Sequence, residues 1–348
     1  MTKLQIGIQL PEVERKVRWP ELLAIARTAE AAGYDSLWLG DHLLYRGDGR
    51  PERGPWDVWT MLAALAASTE RVRLGPLVAS TAFHPPGAIA RMAATIDEIS
   101  SGRFVLGLGA GWNETEFRAF GLPFDHKVAR FEEAFTIIRR LLAGETVTFE
   151  GRFHRVEEAV LLPRPHCRVP LMVGSAGPRL VGIASEHVAW WNCWYSWYGN
   201  TPAGFKELSA RFEGDFRRSA CVLVAVDGGA GERPHEEDAP PVQPAALAEA
   251  GSDEAILVLD PIDERSVEAV AEALVLRSRF SNRPEGHTEH MEPTPPEPTF
   301  PPTPPEPTFP PTPPEPTFPP APGPDPSPPT PTPQPEPDPA PGPVRDAN

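Results

Sequence analysis

VRLGPLVASTAFHPPGAIARMAATIDEISSGRFVLGLGAGWN, running from Val72 to Asn113, is the stretch on which the fold turns. Two apolar runs, VRLGPLVAS (Val72 to Ser80) and RFVLGLGAG (Arg103 to Gly111), flank an amphipathic segment from Pro86 to Ser100 that begins on proline. The runs are near-continuous in apolar residues rather than alternating, which is how strands read when helices cover both faces of a parallel sheet. Strand, helix and strand in that order make one βαβ unit.

The same rhythm extends in both directions. Upstream, LQIGIQL (Leu4 to Leu10) precedes a helix expected from about Pro20 to Ala32, with a proline at its start and Gly33 at its end. SLWLGDH (Ser36 to His42) precedes a helix near Asp57 to Ser68, and helical segments follow from Glu114 and from Ala129 to Leu142. TVTFEGRFHRVEEAVLL then breaks the rhythm: Gly151 separates two alternating runs and predicts an inserted hairpin. PLMVGSA (Pro170 to Ala176) resumes the pattern with a helix over Pro178 to Glu186, followed by VAWWNC (Val188 to Cys193) with a helix near Ala203 to Phe212. CVLVAV (Cys221 to Val226) leads to Pro244 to Ala250, and AILVLD (Ala255 to Asp260) to Glu264 to Leu274. Eight strand and helix pairs predict an α/β fold of the (β/α)8 TIM-barrel type with an insertion after strand 4. An open doubly wound sheet is the rival, because rhythm alone does not reveal closure.

The chain has 348 residues, 40% apolar, which suits a barrel-sized core, but its 47 prolines are unevenly placed. From Pro293 to Asn348, 28 residues are proline, leaving 19 for the first 292, an ordinary globular frequency. EPTFPP recurs at Glu297, Glu306 and Glu315. Such a segment lacks backbone donors and cannot pack, so the organisation read here is a barrel domain over 1–284 and a disordered, extended, acidic proline-rich tail over 285–348. The net charge is −16; ten acids and one arginine from Glu285 onward carry nine of those charges, leaving seven on the body. That mild acidity argues against nucleic acid as a partner. Cys167, Cys193 and Cys221 are odd in number and widely spaced, which gives neither a disulfide framework nor a CxxC metal site and points to a reducing compartment. MTKLQIGIQLPEVERK has no apolar core of signal-peptide length, and no later run reaches membrane-spanning length. A cytoplasmic protein with no membrane span is expected, and a homodimer is its default assembly.

In a barrel of this kind chemistry sits on the loops after the strands. Asp41 and His42 end the second run and pair an acceptor with a titratable ring, either a cap beside a buried histidine or a proton-handling pair. Gly107 to Gly111 (GLGAG) lacks the G-x-G-x-x-G spacing of a dinucleotide turn; its small residues serve either close packing or the approach of a flat ring. Ser175, Ala176 and Gly177 lie between a strand and a helix start, where backbone N–H groups and the dipole favour an anion, with Arg179 nearby. Histidines do not recur at metal-ligand spacing and no GxSxG is present, so no metal is assigned and serine chemistry has no support. The rings of Trp190, Trp191, Trp194, Tyr195, Trp197 and Tyr198 either wall a pocket or pack between outer helices.

YDSLWLGDH, FHPPGAIARMAATIDEISSGRFVLGLGAGWNETEFRAFGLPF and PLMVGSAGPRLVGIASEHV, in this order, resemble the luciferase-like monooxygenase superfamily, and most closely its branch using the deazaflavin coenzyme F420. The resemblance covers roughly Leu4 to Leu276. It implies a (β/α)8 barrel with an insertion and an oxidoreductase transferring a hydride between F420 and a small organic substrate. Asp41 and His42 match the acid and histidine facing ring and substrate, with His42 as acid/base. Leu77, Val78 and Ala79 match the bulge on which the ring rests, where a non-prolyl cis peptide is implied near Leu77 and Val78. Gly109, Ala110, Gly111 and Asn113 match the loop beside the ring, and Ser175, Ala176 and Gly177 the phosphate cradle. An FMN-dependent monooxygenase of the same superfamily is the alternative, and a non-catalytic barrel using its tail for partner binding is a third reading. Two stretches depart from the pattern. Trp112 stands where sugar-phosphate dehydrogenases of the branch carry glutamate, and Trp190 and Trp191 replace the acid and glycine of ADGWN, which implies a narrowed or disturbed pocket.

Overall fold

The computed structural model of the chain describes residues 4–226 and 244–274. The proline-rich tail expected over 285–348, and the boundary at 284, lie outside the described residues. In chain order the first elements are β1 (Gln5–Gln9), α1 (Trp19–Ala32), β2 (Ser36–Leu39), α2 (Val58–Ser68), β3 (Arg73–Pro76), β4 (Ala79–Ser80), α3 (Pro86–Ile99) and β5 (Leu106–Gly109). Then come α4 (Glu114–Ala119), α5 (Lys127–Leu142), β6 (Val147–Glu150), β7 (Arg155–Ala159), β8 (Leu171–Gly174), α6 (Pro178–Ala184) and β9 (Trp190–Cys193). The rest are α7 (Pro202–Ser209), β10 (Arg217–Ala225), α8 (Pro244–Glu249), β11 (Glu254–Asp260) and α9 (Glu264–Ala273).

Local chemistry sets the ends. Pro20 opens α1, and Gly33 closes it at φ 96°, a left-handed conformation that glycine takes without a Cβ clash. Asp57 caps α2 by accepting from Thr60 N–H, and Asp263 and Ser266 form a reciprocal box at the start of α9. The hairpin is present as expected: β6 and β7 pair antiparallel, and the Glu133 carboxylate on α5 accepts from the N–H groups of Arg152, Phe153 and His154 in its turn.

The remaining nine strands form one parallel sheet in the order β3-β2-β1-β11-β10-β9-β8-β5-β4. Its two ends are consecutive pieces of one strand, since β3 and β4 are separated only by Leu77 and Val78. The first piece pairs with β2 and the second with β5, while Leu74 also bridges to Phe104 just ahead of β5. Hydrogen bonding therefore runs round a closed barrel of eight strands, and the open-sheet alternative fails.

Large side chains fill the interior only where glycines make room. A Cβ on Gly75 would stand 2.9 Å from the Trp38 ring, and one on Gly7 would stand 3.0 Å from Trp38 Nε1, so Trp38 occupies space that both glycines vacate. At the end where strands begin, Trp190 reaches across from β9 to Arg73 on β3 and lies over Arg217 of β10, with guanidinium carbons 4.9 and 4.2 Å from its ring centroid. Because β9 and β3 are not neighbours, that contact crosses the interior. Arg73 also binds Glu254 Oε1 at 3.0 Å and Gln5 Oε1 at 2.9 Å, closing the floor of the barrel.

Candidate active site

At the opposite end, the C-terminal mouth, β2 delivers Gly40, Asp41 and His42. Gly40 has no room for a side chain because the Glu12 carboxylate packs there. Asp41 is buried, and its Oδ2 accepts from Ser80 N–H at 2.9 Å, tying the end of β2 to β4. Burial pushes its carboxyl up to about 7 from 3.8; the Ser80 N–H and His42 pull the other way, and Asp57 and Glu116 add to the rise.

His42 Nδ1 lies 3.1 and 3.3 Å from the two carboxylate oxygens of Glu116. Burial opposes charge on the ring, yet the Glu116 hydrogen bond and the charges of Glu12, Glu116 and Asp41 outweigh it, so the imidazole is held above its ordinary value. Glu116 was not among the residues expected from sequence. It stands in the first turn of α4 behind the N-cap Asn113, where an acid reads as helix capping, and its partner is 74 residues away. Around His42, the Tyr45 ring lies 4.8 Å away and the Trp112 ring 5.6 Å away, edge-on. Trp112 is 64% exposed at the rim.

Leu77–Val78 is a cis peptide, as the resemblance implied. It turns the Val78 side chain into the barrel, where a Cβ on Gly107, Gly109 or Gly174 would come within 2.9, 2.8 and 2.8 Å of its methyls. Gly107 and Gly109 therefore have a packing reason, the close-packing reading of GLGAG. Gly111 is different: it sits at φ 75°, and a Cβ there would meet Ser80 Oγ at 2.8 Å. Ala79 is buried in β4, Leu77 and Ala110 are half-buried, and Asn113 Nδ2 donates to Leu44 O at 2.9 Å. These residues converge on the mouth with Asp41 and His42.

Ser175, Ala176 and Gly177 follow β8, whose end packs on Val78. Ser175 Oγ already accepts from Gly177 N–H at 3.0 Å. Arg179 is 69% exposed and turns toward Glu132 on α5 at 3.9 Å, so it does not join the group round His42.

The two tryptophans expected to narrow the pocket do not reach the mouth. Trp190 lies in the floor, and Trp191 points outward against Phe205 and Phe212, donating from Nε1 to Ser175 O at 2.8 Å. Opposite parity along one strand sends adjacent residues to opposite faces, and neither face is the mouth. Tyr198 is likewise structural, its hydroxyl donating to Cys221 O at 2.6 Å.

Several polar atoms buried at this end have no protein partner among the described residues, including Gln9 Oε1 on β1, Ser80 Oγ on β4 and Asp260 Oδ1 on β11. Buried groups are ordinarily satisfied, so unmatched atoms clustered at one end of a barrel mark a place where a ligand or water completes the set. A cavity of about 520 Å3 adjoins it, lined in part by Glu12, Leu39, Gly40, Trp56 and Met61. A larger cavity of about 700 Å3, lined by residues such as Arg168, His187 and Asp215, lies ahead of β8, β9 and β10 at the floor end, where barrel residues serve stability. Among the described residues no cluster of three or more His, Cys, Asp or Glu could hold a metal, and no helix is long and apolar enough to cross a membrane.

A closed (β/α)8 barrel with a histidine–carboxylate pair at its C-terminal mouth is an enzyme-type scaffold. Residues 4–228 match the family described as Luciferase-like monooxygenase, and the chain belongs to it. An F420-dependent glucose-6-phosphate dehydrogenase of Microbacterium testaceum is 40% identical over 176 residues, 48% of this chain and 51% of that one. A 5,10-methylenetetrahydromethanopterin reductase of Archaeoglobus fulgidus is 33% identical over 170 residues, 49% and 48% of the two chains. The chain spans about half the length of these relatives. Among solved structures, an F420-dependent secondary alcohol dehydrogenase in complex with an F420-acetone adduct superposes with a TM-score of 0.65 over 79% of this chain and 99% of that one, at 19% identity, a likeness of fold.

Proposed function

We propose that the chain is a cytoplasmic oxidoreductase that transfers a hydride between coenzyme F420 and a small organic substrate. The observation that carries this reading is the mouth itself: His42 bonded through Nδ1 to a buried carboxylate, at the same end as Gln9 Oε1 and Ser80 Oγ, which have no partner among the described residues. Relatives named as F420-dependent dehydrogenases support the coenzyme assignment, and the likeness to a reductase leaves the direction to the substrate.

The residues present fit such a group. Leu77, Val78 and Ala79 form a bulge at the mouth, Gly109, Ala110, Gly111 and Asn113 line the adjoining loop, and these would hold the ring; Ser175, Ala176, Gly177 and Arg179 would hold the phosphate arm. The coenzyme, when bound, supplies the carbon that carries the hydride. The chain supplies everything else. His42 takes the proton of a substrate hydroxyl, or returns it to a carbonyl oxygen, and the Glu116 hydrogen bond with the surrounding carboxylates raises its proton affinity. Asp41 anchors the end of β2 to Ser80 and so fixes where His42 stands.

Native mass spectrometry of the purified protein reads the coenzyme directly: co-purified or added F420 is expected, whereas retention of FMN in its place assigns the flavin chemistry instead. His42→Ala is expected to lower F420-coupled turnover roughly 10²-fold or more. Full turnover in that variant overturns the proton role.

A further inference from the structure

We infer that α4 is a clamp on the histidine of the mouth: Glu116 is a positioning residue that holds His42 with its proton on Nδ1 and so leaves Nε2 as the acceptor offered to substrate. The clamp has two arms. Glu116, 1% exposed, receives His42 Nδ1 on one side and Leu43 N–H on the other, the latter at 2.8 Å, with Leu44 N–H at 3.4 Å. Asn113, one turn earlier, donates from Nδ2 to Leu44 O at 2.9 Å. The backbone leaving His42 is thus held at two points, Leu43 N–H and Leu44 C=O, by the first turn of one helix. A carboxylate oxygen can only accept, so the nitrogen facing it must carry hydrogen, and the neutral ring then has its lone pair on Nε2. His42 Nε2 makes no hydrogen bond among the described residues, and the side chain keeps 18% exposure.

A role in capping alone would not require this. The first turn of α4 is already capped by Asn113 Oδ1, which accepts from Thr115 N–H. The Glu116 carboxylate is instead aimed across the mouth at another strand end. The other groups facing the ring are Glu12 from the loop after β1, Asp41 beside it in sequence, and the rings of Tyr45 and Trp112, with Arg53 above Tyr45. Of these, Glu116 alone is hydrogen-bonded to the imidazole.

The catalytic consequence rests on the proposed proton role of His42; the tautomer does not. The test uses full-length protein labelled with 15N-histidine, the His42 signals being assigned by their loss in His42→Gln. Above the titration, wild type is expected to carry hydrogen on Nδ1. Glu116→Gln keeps the size and can still accept from Leu43 N–H, but its amide can turn a donor toward the ring. In that variant the hydrogen moves to Nε2, and the His42 midpoint falls by about one pH unit or more. Thermal unfolding of Glu116→Asp provides a check that a shorter carboxylate retains the fold while partly restoring the wild-type signature. In turnover, Glu116→Gln is expected to lower kcat roughly 10²-fold with KM changed less than about threefold, and to displace the acid limb of the pH profile. Hydrogen on Nε2 in the wild type, or a Glu116→Gln variant with the wild-type tautomer and midpoint, overturns the clamp. Failure to bind F420 would instead remove the proposed reaction and leave the tautomer result standing.

Discussion

The two ends of the barrel use the same kinds of residue to opposite effect. At the floor, polar and charged side chains are spent on one another: Arg73 on Glu254 and Gln5, Ser36 Oγ on Glu254 at 2.6 Å, Trp38 Nε1 on Ser36 Oγ at 2.8 Å, and two guanidiniums on Trp190. Glu254 Oε2 and, at the C-terminus of α3, Asp97 Oδ1 are left over there among the described residues. At the mouth, Gln9, Ser80 and Asp260 each keep an atom without a partner among the described residues, Asp41 carries a displaced proton affinity, and His42 is hydrogen-bonded through Nδ1 and not Nε2 among those residues. Closed networks at one end and open ones at the other separate a stabilising face from a reactive one.

The comparison can be broken first at the floor. Glu254→Ala strands Arg73 in the interior and is expected to cost about 3–5 kcal/mol, read as a loss of the urea midpoint, while any folded fraction keeps its mouth intact. Next comes His42→Ala at the mouth, where the expected order reverses: a roughly 10²-fold fall in turnover, about 3 kcal/mol of barrier, with a smaller loss of the urea midpoint than at the floor. Gly174→Ala tests how tightly the bulge is packed. Its Cβ would press on Val78, so a loss of about 1–3 kcal/mol is expected, and Val78→Ala in the same chain should recover part of it in a double-mutant cycle.

The pH dependence of stability is a subtler difference. Asp41 keeps its proton to about 7 in the folded chain, against an ordinary 3.8. Between those values the folded state holds a proton that the unfolded state has released, so stability falls as pH rises across that window, by at most ~1.4 kcal/mol per pH unit. The contribution of His42, whose folded value lies above 6.5, is complete below 6.5 and lost as pH rises through that folded value. The two groups interact, each charge favouring the charged form of the other. Asp41→Asn should flatten the slope of the urea midpoint between pH ~4 and ~6 and leave the His42 portion. Smallest of all, Trp191→Phe removes one hydrogen bond to Ser175 O and should cost about 0.5–1.5 kcal/mol, read as a small loss of the urea midpoint.

Much of this architecture was legible along the chain because parallel barrel strands are apolar on both faces and helices carry their own punctuation in Pro20, Gly33, Pro86 and Pro178. What escaped is instructive. SLWLGDH was read as a strand to His42, but pairing stops at Leu39 because the last residues bend away to serve the mouth. β10 begins at Arg217, four residues ahead of CVLVAV, since its first inward residues are polar ones that close the floor and carry no apolar signal. Asp41, His42 and the bulge residues follow from position at strand ends and from resemblance. Glu116 follows from neither: its partner is distant in sequence, and only the folded chain brings α4 over the end of β2. Nor could periodicity assign Trp190 to the floor, because strand parity gives the face but not the height of a ring within the barrel.

Trp112 offers the most direct reading of the central claim, standing 64% exposed at the rim with its ring 5.6 Å from that of His42. Titration of the full-length protein with F420, and separately with FMN, while following intrinsic tryptophan fluorescence should give saturable quenching by F420, reduced in amplitude in Trp112→Phe. Absence of quenching by either molecule would contradict a coenzyme at this mouth.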